Sequence, residues 1–150
     1  MDQTSDDTMN ETDENPTEDD GMPRAGGMSV ELFMSDSIAM VSPSTSIRDA
    51  AEKLQTAEVG LLVVGSPDAV HGVVSERDIV RCVALGADVD ATPVEAIESD
   101  HLKWATVDST VDTVAEEMME NYLRHMLVAD DAGRLVGVVS MRDVLTAYLA

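Results

Sequence analysis

Ser75-Glu76-Arg77-Asp78 and Ser140-Met141-Arg142-Asp143 set a hydroxyl, a guanidinium and a carboxylate in the same order twice. Gly72-Val73-Val74 precedes the first copy and Ile79 follows it; Gly137-Val138-Val139 and Val144 flank the second. If each serine opens a helix, Ser and Asp three residues apart point toward the same end of it. A helix N-terminus offers free N–H groups and a positive dipole end, which suit an anion. The carboxylate adds an acceptor for two hydrogen bonds. A plainer reading stands beside this one. Ser-x-x-Asp at a helix start is also a variant capping box, with Ser capping and Asp reaching back to the backbone. Asp78, Asp143 and His125 have no nucleophile, metal-ligand cluster or phosphate loop at a meaningful spacing, so binding is expected here rather than catalysis.

The elements around these residues repeat as well. The serines lie 140 − 75 = 65 positions apart. Upstream, Ser46-Ile47-Arg48-Asp49-Ala50-Ala51-Glu52-Lys53-Leu54 runs parallel to Thr110-Val111-Asp112-Thr113-Val114-Ala115-Glu116-Glu117-Met118, at an offset of 111 − 47 = 64. One residue is therefore inserted in the second copy, and Asp130-Asp131-Ala132-Gly133 is the turn that absorbs it. A fixed period of this kind marks repeated structural units.

Each copy has the same predicted course. In the first, Val30, Leu32, Phe33 and Met34 form a helical turn, and Ile38 to Val41 a short strand stopped by Pro43. Ser46 caps a helix to about Ala57, with Ile47, Ala50, Ala51 and Leu54 at helical spacing. Leu61 to Val64 and Val70 to Val74 are strands joined by the turn Gly65-Ser66-Pro67-Asp68. Ser75 opens a helix with Ile79, Val80, Val83 and Ala84 on its apolar face, and Gly86 ends it. Asp88 to Thr92 links the halves, and Pro93, in a first turn capped by Thr92, opens a short helix through Ile97. The second copy has a strand at Trp104 to Val107, a helix from Thr110 to about Asn121, a hairpin of His125 to Ala129 with Leu135 to Val139, and a last helix from Ser140 to about Leu149. The expected fold is α+β: two β-α-β-β-α units packed sheet to sheet with pseudo-twofold symmetry, because half of such a unit has only a one-sided core. The predicted divisions are an acidic disordered tail over residues 1–27, a first repeat over 28–88 and a second over 89–150. The tail holds nine acids, Pro16 and Pro23 without apolar periodicity, and Met28 is a plausible alternative start.

Composition narrows the function classes. The 150 residues carry 30 acidic and 9 basic side chains, a formal net charge of −21, with Lys53 and Lys103 the only lysines. Such a surface repels nucleic acid and anionic membranes, so neither is an expected partner. It also repels itself at low salt. At about 1 M salt the Debye length falls to roughly 3 Å and the repulsion is screened, which points to an extreme halophile. No apolar run approaches the ~18 residues of a membrane span, and the acidic N-terminus does not read as a secretory signal. A cytoplasmic protein is expected. Cys82 is the single cysteine; its neighbours Val80 and Val83 suggest a core thiol.

A tandem β-α-β-β-α unit ending in Gly-Val-Val-Ser-x-Arg-Asp-aliphatic resembles a pair of cystathionine-β-synthase (CBS) domains, a Bateman module. The resemblance spans about Ser29 to Ala150. It implies a regulatory module whose cleft between repeats binds an adenosyl ligand: AMP, ADP, ATP or S-adenosylmethionine. By that likeness Asp78 and Asp143 hold the ribose hydroxyls, while Ser75 and Ser140 contact ribose or phosphate. Arg124 and His125 match the position from which basic residues reach phosphates; a solvated strand edge and a packed imidazole are the other readings. Gly60 and Leu61 stand there in the first copy, so the two clefts should differ. Arg77 and Arg142 are further phosphate candidates, or else pair with acids across a dimer interface. Ala39, Val41, Val59, Ala105, Val107 and Leu123 match the purine pocket. The acidic field keeps the cationic S-adenosylmethionine open as ligand. The likeness also implies a homodimer, with Met118, Met119, Tyr122, Met141, Leu145 and Tyr148 in its interface or in the intrachain core, and an effector protein that receives the signal. A ligand-free scaffolding dimer is the alternative.

Overall fold

The computed structural model describes residues 24–150. Two three-stranded sheets lie back to back, with helices on their outer faces. In the first, β1 (Met40–Val41) runs parallel to β2 (Leu61–Ser66), and β2 antiparallel to β3 (Ala69–Ser75). Helix α1 (Ile47–Ala57) makes the crossover and α2 (Glu76–Ala84) follows β3. The second sheet repeats this with β4 (Trp104–Thr106), β5 (His125–Ala129) and β6 (Leu135–Ser140), served by α3 (Val111–Glu120) and α4 (Met141–Leu149). The observed fold is thus the expected α+β tandem. Both hairpins carry a register shift at the same place, Val64/Gly65 and Val128/Ala129.

The alternation of the strands decides what each side chain touches. Leu62 and Val64 face the helices of the first repeat, and Met126 and Val128 those of the second. Val63 and Leu127 point the other way and meet in a third cluster between the sheets, with Leu135 and the half-buried Ile38, Met40, Leu102, Trp104 and Val138. Fully burying a side chain of this size contributes about 1.5–3 kcal/mol, so Val63, Leu127 and Leu135 favour packing of one sheet on the other.

Helix starts follow the serine and threonine spacing. Ser46 Oγ accepts from the Asp49 N–H at 3.1 Å, and Thr110 Oγ1 from the Thr113 N–H at 3.2 Å. A residue with positive φ follows each of α1 and α3, Glu58 at 54° as the cap of α1 and Tyr122 at 55° just past the cap of α3, again 64 positions apart.

Four details differ from the sequence reading. The strands at Ile38 and Trp104 are shorter, Met40–Val41 and Trp104–Thr106. The linker turn Val94–Ala96 is a 3-10 helix with Pro93 as N-cap, extended at ψ 153°. Residues 1–23, most of the expected tail, lie outside the described residues, but Ala25–Gly27 form a 3-10 turn and Gly26 is buried against Asp112 of α3. Finally, Ile79 of the α2 stripe packs on the core of the first repeat, but the rest of the stripe faces outward. Val80 and Val83 are 66% and 60% exposed and no α2 residue is buried, so Cys82 is half-buried rather than a core thiol. Helical periodicity marks a stripe but not what covers it.

The repeats also exchange segments. Val30, from the turn Val30–Leu32 before the first sheet, is wholly buried in the core of the second repeat. The Val30 N–H donates to Ser109 O, and Ser35 pairs with Val138 through two backbone bonds of 2.9 Å. Reciprocally, Val94 and Ile97 of the linker pack into the core of the first repeat, and Ser99 pairs with Val73. The motif glycines make room for these crossings. A Cβ on Gly72 would lie 2.7 Å from Glu98 Oε2 and 2.9 Å from Ser99 O, and one on Gly137 would collide with Met34.

Candidate functional site

The end of β3 delivers Ser75 to the N-cap of α2, where the cap is reciprocal. The Asp78 N–H donates to Ser75 Oγ at 3.3 Å, and Asp78 Oδ2 accepts from the Ser75 N–H at 2.8 Å and its hydroxyl at 3.0 Å. Ser140 and Asp143 do the same at the start of α4, with bonds of 2.7 and 3.1 Å. The capping function is therefore present in both copies. In Asp78 the cap uses Oδ2, while Oδ1 pairs with Arg81 at 3.6 Å.

The first of the two motifs opens on a cavity. A space of about 270 Å³ is walled on one side by Ser75, Glu76, Arg77 and Asp78 of the first repeat, and on the other by Leu123, Arg124 and His125 of the second. The linker closes it with Ser99, His101, Leu102 and Lys103, and Tyr122 stands at its rim. Among the sequence-predicted residues, Ser75, Arg77, Asp78, Leu123, Arg124 and His125 come together here. Ser140, Arg142 and Asp143 lie outside this cavity's lining. Ala39, Val41 and Val59 pack in the core of the first repeat, and Ala105 and Val107 in that of the second.

The asymmetry has a simple source. Gly60 and Arg124 are equivalent: each carbonyl accepts from the first N–H of the following motif helix, Glu76 at 3.1 Å and Met141 at 2.8 Å. Where the second repeat carries Arg124 and His125, the first carries Gly60 and Leu61. The His125 ring occupies the room that Gly60 leaves, 3.2 Å from where a Cβ would stand. His125 thus reaches across the repeat boundary toward the start of α2. Burial pulls its pKa below the usual 6.5; Asp143 and Glu76 oppose that shift, and Arg124 adds to it.

Charge is concentrated here against the trend of the molecule. Arg77, Lys103 and Arg124, three of the nine basic side chains, line this one cavity, along with two of the three histidines. Among the described residues, Glu76 and Asp78 are the only acids in the lining. At high salt the field of −21 distant charges is screened within roughly 3 Å, while groups in contact with a ligand are not. Local charge therefore governs what enters, and it favours an anion. Spacing of the motifs did not single out Lys103, Glu76 or Tyr122 as site residues, because they converge on the cavity only through the linker and the repeat contact. Among the described residues no group of three or more His, Cys, Asp or Glu is placed to hold a metal ion, and no helix is long and apolar enough to cross a membrane.

Comparison with known proteins agrees with this architecture. The CBS domain model matches residues 29–85 and 94–150. An uncharacterised 17.7 kDa protein of Acidianus ambivalens is 33% identical over 121 residues, 80% of this chain and 73% of that protein. The crystal structure of an uncharacterised conserved protein from Pyrococcus horikoshii is 30% identical and superposes with a TM-score of 0.75, covering 84% of this chain and 94% of that one. A CBS domain protein of Pyrobaculum aerophilum, solved in complex with AMP, is 29% identical with a TM-score of 0.71, covering 81% and 98%. With two matched repeats, two back-to-back sheets and a cleft between them, the chain belongs to the CBS domain family.

Proposed function

We propose that this protein is a regulatory module that binds one adenine nucleotide per chain in the cavity between its repeats. The observation that carries the reading is the convergence of Asp78, from one repeat, with Arg124 and His125, from the other, on a single space. The ribose diol is assigned to Asp78 Oδ1, which would exchange its 3.6 Å contact with Arg81 for the diol, and the phosphate to Arg124, His125 and Lys103. The AMP complex of the Pyrobaculum protein supports the ligand class. The local cations weigh against the sulfonium of S-adenosylmethionine. The motif around Asp143 has only Gly60 and Leu61 at its phosphate end, so it is assigned a capping role and no second ligand. The output is a change in the angle between repeats, limited by the ligand's differential affinity for the two shapes, and it passes to a separate effector protein rather than to chemistry on this chain.

A homodimer is part of the proposal. Val80, Val83 and Leu85 on and after α2, with Leu145, Tyr148 and Leu149 on α4, are exposed apolar side chains on the two motif helices. Met119, Tyr122 and Met141 are exposed as well, whereas Met118 is 1% exposed and belongs to the intrachain core.

The test is a melt in multimolar KCl with AMP, ATP, S-adenosylmethionine and NADH. A ligand at 100 times its Kd adds about 2.7 kcal/mol of stability. AMP or ATP should raise the midpoint, Asp78→Ala should abolish the shift, and Asp143→Ala should keep it while losing the same cap. No shift with any of the four compounds would favour the scaffolding role instead.

A further inference from the structure

His125 is the residue that the nucleotide-binding reading leaves in an unusual state. Its ring lies in the cavity wall, in the gap opposite Gly60. The charged groups facing it come from every side. Glu76 sits on α2, Asp143 on α4, and Arg124 precedes it on the chain. Across the cavity stand Arg77, Asp78, His101 and Lys103. The imidazole is half-buried, and burial chiefly depresses its pKa, with Asp143 and Glu76 opposing the shift and Arg124 adding to it. A phosphate entering this space puts a negative charge near the ring, and an opposite charge close by favours the protonated form.

Resting on the reading that the cavity takes a phosphorylated ligand, we propose that binding is coupled to uptake of a proton by His125, which makes the site respond to pH as well as to nucleotide. No covalent change is involved: the imidazole gains one proton from solvent as the phosphate arrives, and releases it on dissociation. Two nearby carboxylates, Glu76 and Asp143, already favour the protonated form, and the phosphate charge acts in the same direction. The consequence is a directional one. Affinity for the nucleotide falls as pH rises through the window between the pKa of the empty site and that of the occupied site. Each unit separating those two values weakens binding about tenfold across the window.

The experiment is calorimetric titration of the full chain with AMP, in multimolar KCl, at pH 7.5, in buffers of different ionisation enthalpy. At that pH the phosphate, with a second pKa of about 6, is already a dianion, so any proton uptake belongs to the protein. The expected result is uptake of a measurable fraction of a proton per AMP bound. It should be lost in His125→Gln and retained in His101→Gln, which removes the other histidine of the lining. AMP binding with no proton uptake by the unsubstituted protein would overturn the proposal and leave the functional reading standing. So would uptake that survives His125→Gln. Absence of AMP binding at any pH between 5.5 and 8 would overturn both.

Discussion

Gly60 is the residue on which the cavity depends. Its missing side chain admits the His125 ring, and the pair breaks the symmetry of an otherwise repeated fold. Gly60→Leu is expected to push that ring into the cavity and to weaken AMP binding at least tenfold, about 1.4 kcal/mol, measured by the same calorimetry. Ser140→Ala, by contrast, is expected to cost about 1 kcal/mol of stability through the lost cap and to leave AMP affinity unchanged, as chemical denaturation beside the titration will show. His125 also sets a pH dependence in the empty protein. Its folded pKa lies below the unfolded value of 6.5, so the unfolded chain takes up the proton first as pH falls. The contribution is therefore present above about pH 6.5 and is lost as pH drops toward the folded value. Melts of the empty protein between pH 7.5 and 5.5 should show this loss, and His125→Gln should flatten it. A slope unchanged by the substitution would place the titration elsewhere.

The crossing segments are the elements that tie the two repeats together. The turn at Val30 completes the core of the second repeat, and the linker at Val94 that of the first. The glycines of the repeated motif, Gly72 and Gly137, sit beneath these crossings, so their role is steric rather than chemical. Gly137→Ala meets the side chain of Met34, and overpacking of this kind costs about 1–3 kcal/mol. Met34→Ala should relieve part of that cost, giving a non-additive double-mutant cycle. Gly72→Ala meets the Ser99 carbonyl as well as a side chain. Backbone yields less readily, and Ser99 also walls the cavity. This substitution is expected to lower both stability and AMP affinity. Equal and purely additive losses at the two glycines would contradict the assignment.

At the scale of the whole molecule, charge and exposed apolar surface set the conditions under which it works. A net charge of −21 on a chain this small opposes compaction until salt screens it. The melting midpoint should rise steeply between about 0.1 and 2 M KCl, where the Debye length shrinks from roughly 10 Å to below 3 Å. A flat salt response would remove the halophile reading. The apolar stripe of α2 and α4 should be covered by a second copy. Val83→Asp is then expected to convert the dimer to a monomer in light scattering, and a chain that is monomeric without the substitution would assign that surface to another partner.

The order of elements, their caps and the tandem layout were legible because they depend on local patterns: helical spacing at Ile47, Ala50 and Leu54, capping at Ser75 and Ser140, and turns at glycine. Asp78 was legible as a candidate from its capping position, and Arg124 and His125 from the resemblance to CBS pairs. That Asp78 meets Arg124 and His125, rather than each motif keeping its own cleft, was decided by the packing of one sheet on the other. Lys103 entered the site through the linker's crossing, and Val80 and Val83 of α2 are left outward because no described segment of this chain covers them. Sequence by itself determined which residues can cap, alternate and repeat, since those are relations between near neighbours. Only the tertiary structure decided which repeats share a space and which charges face it, since those contacts join residues tens of positions apart, and local spacing carries no information about them.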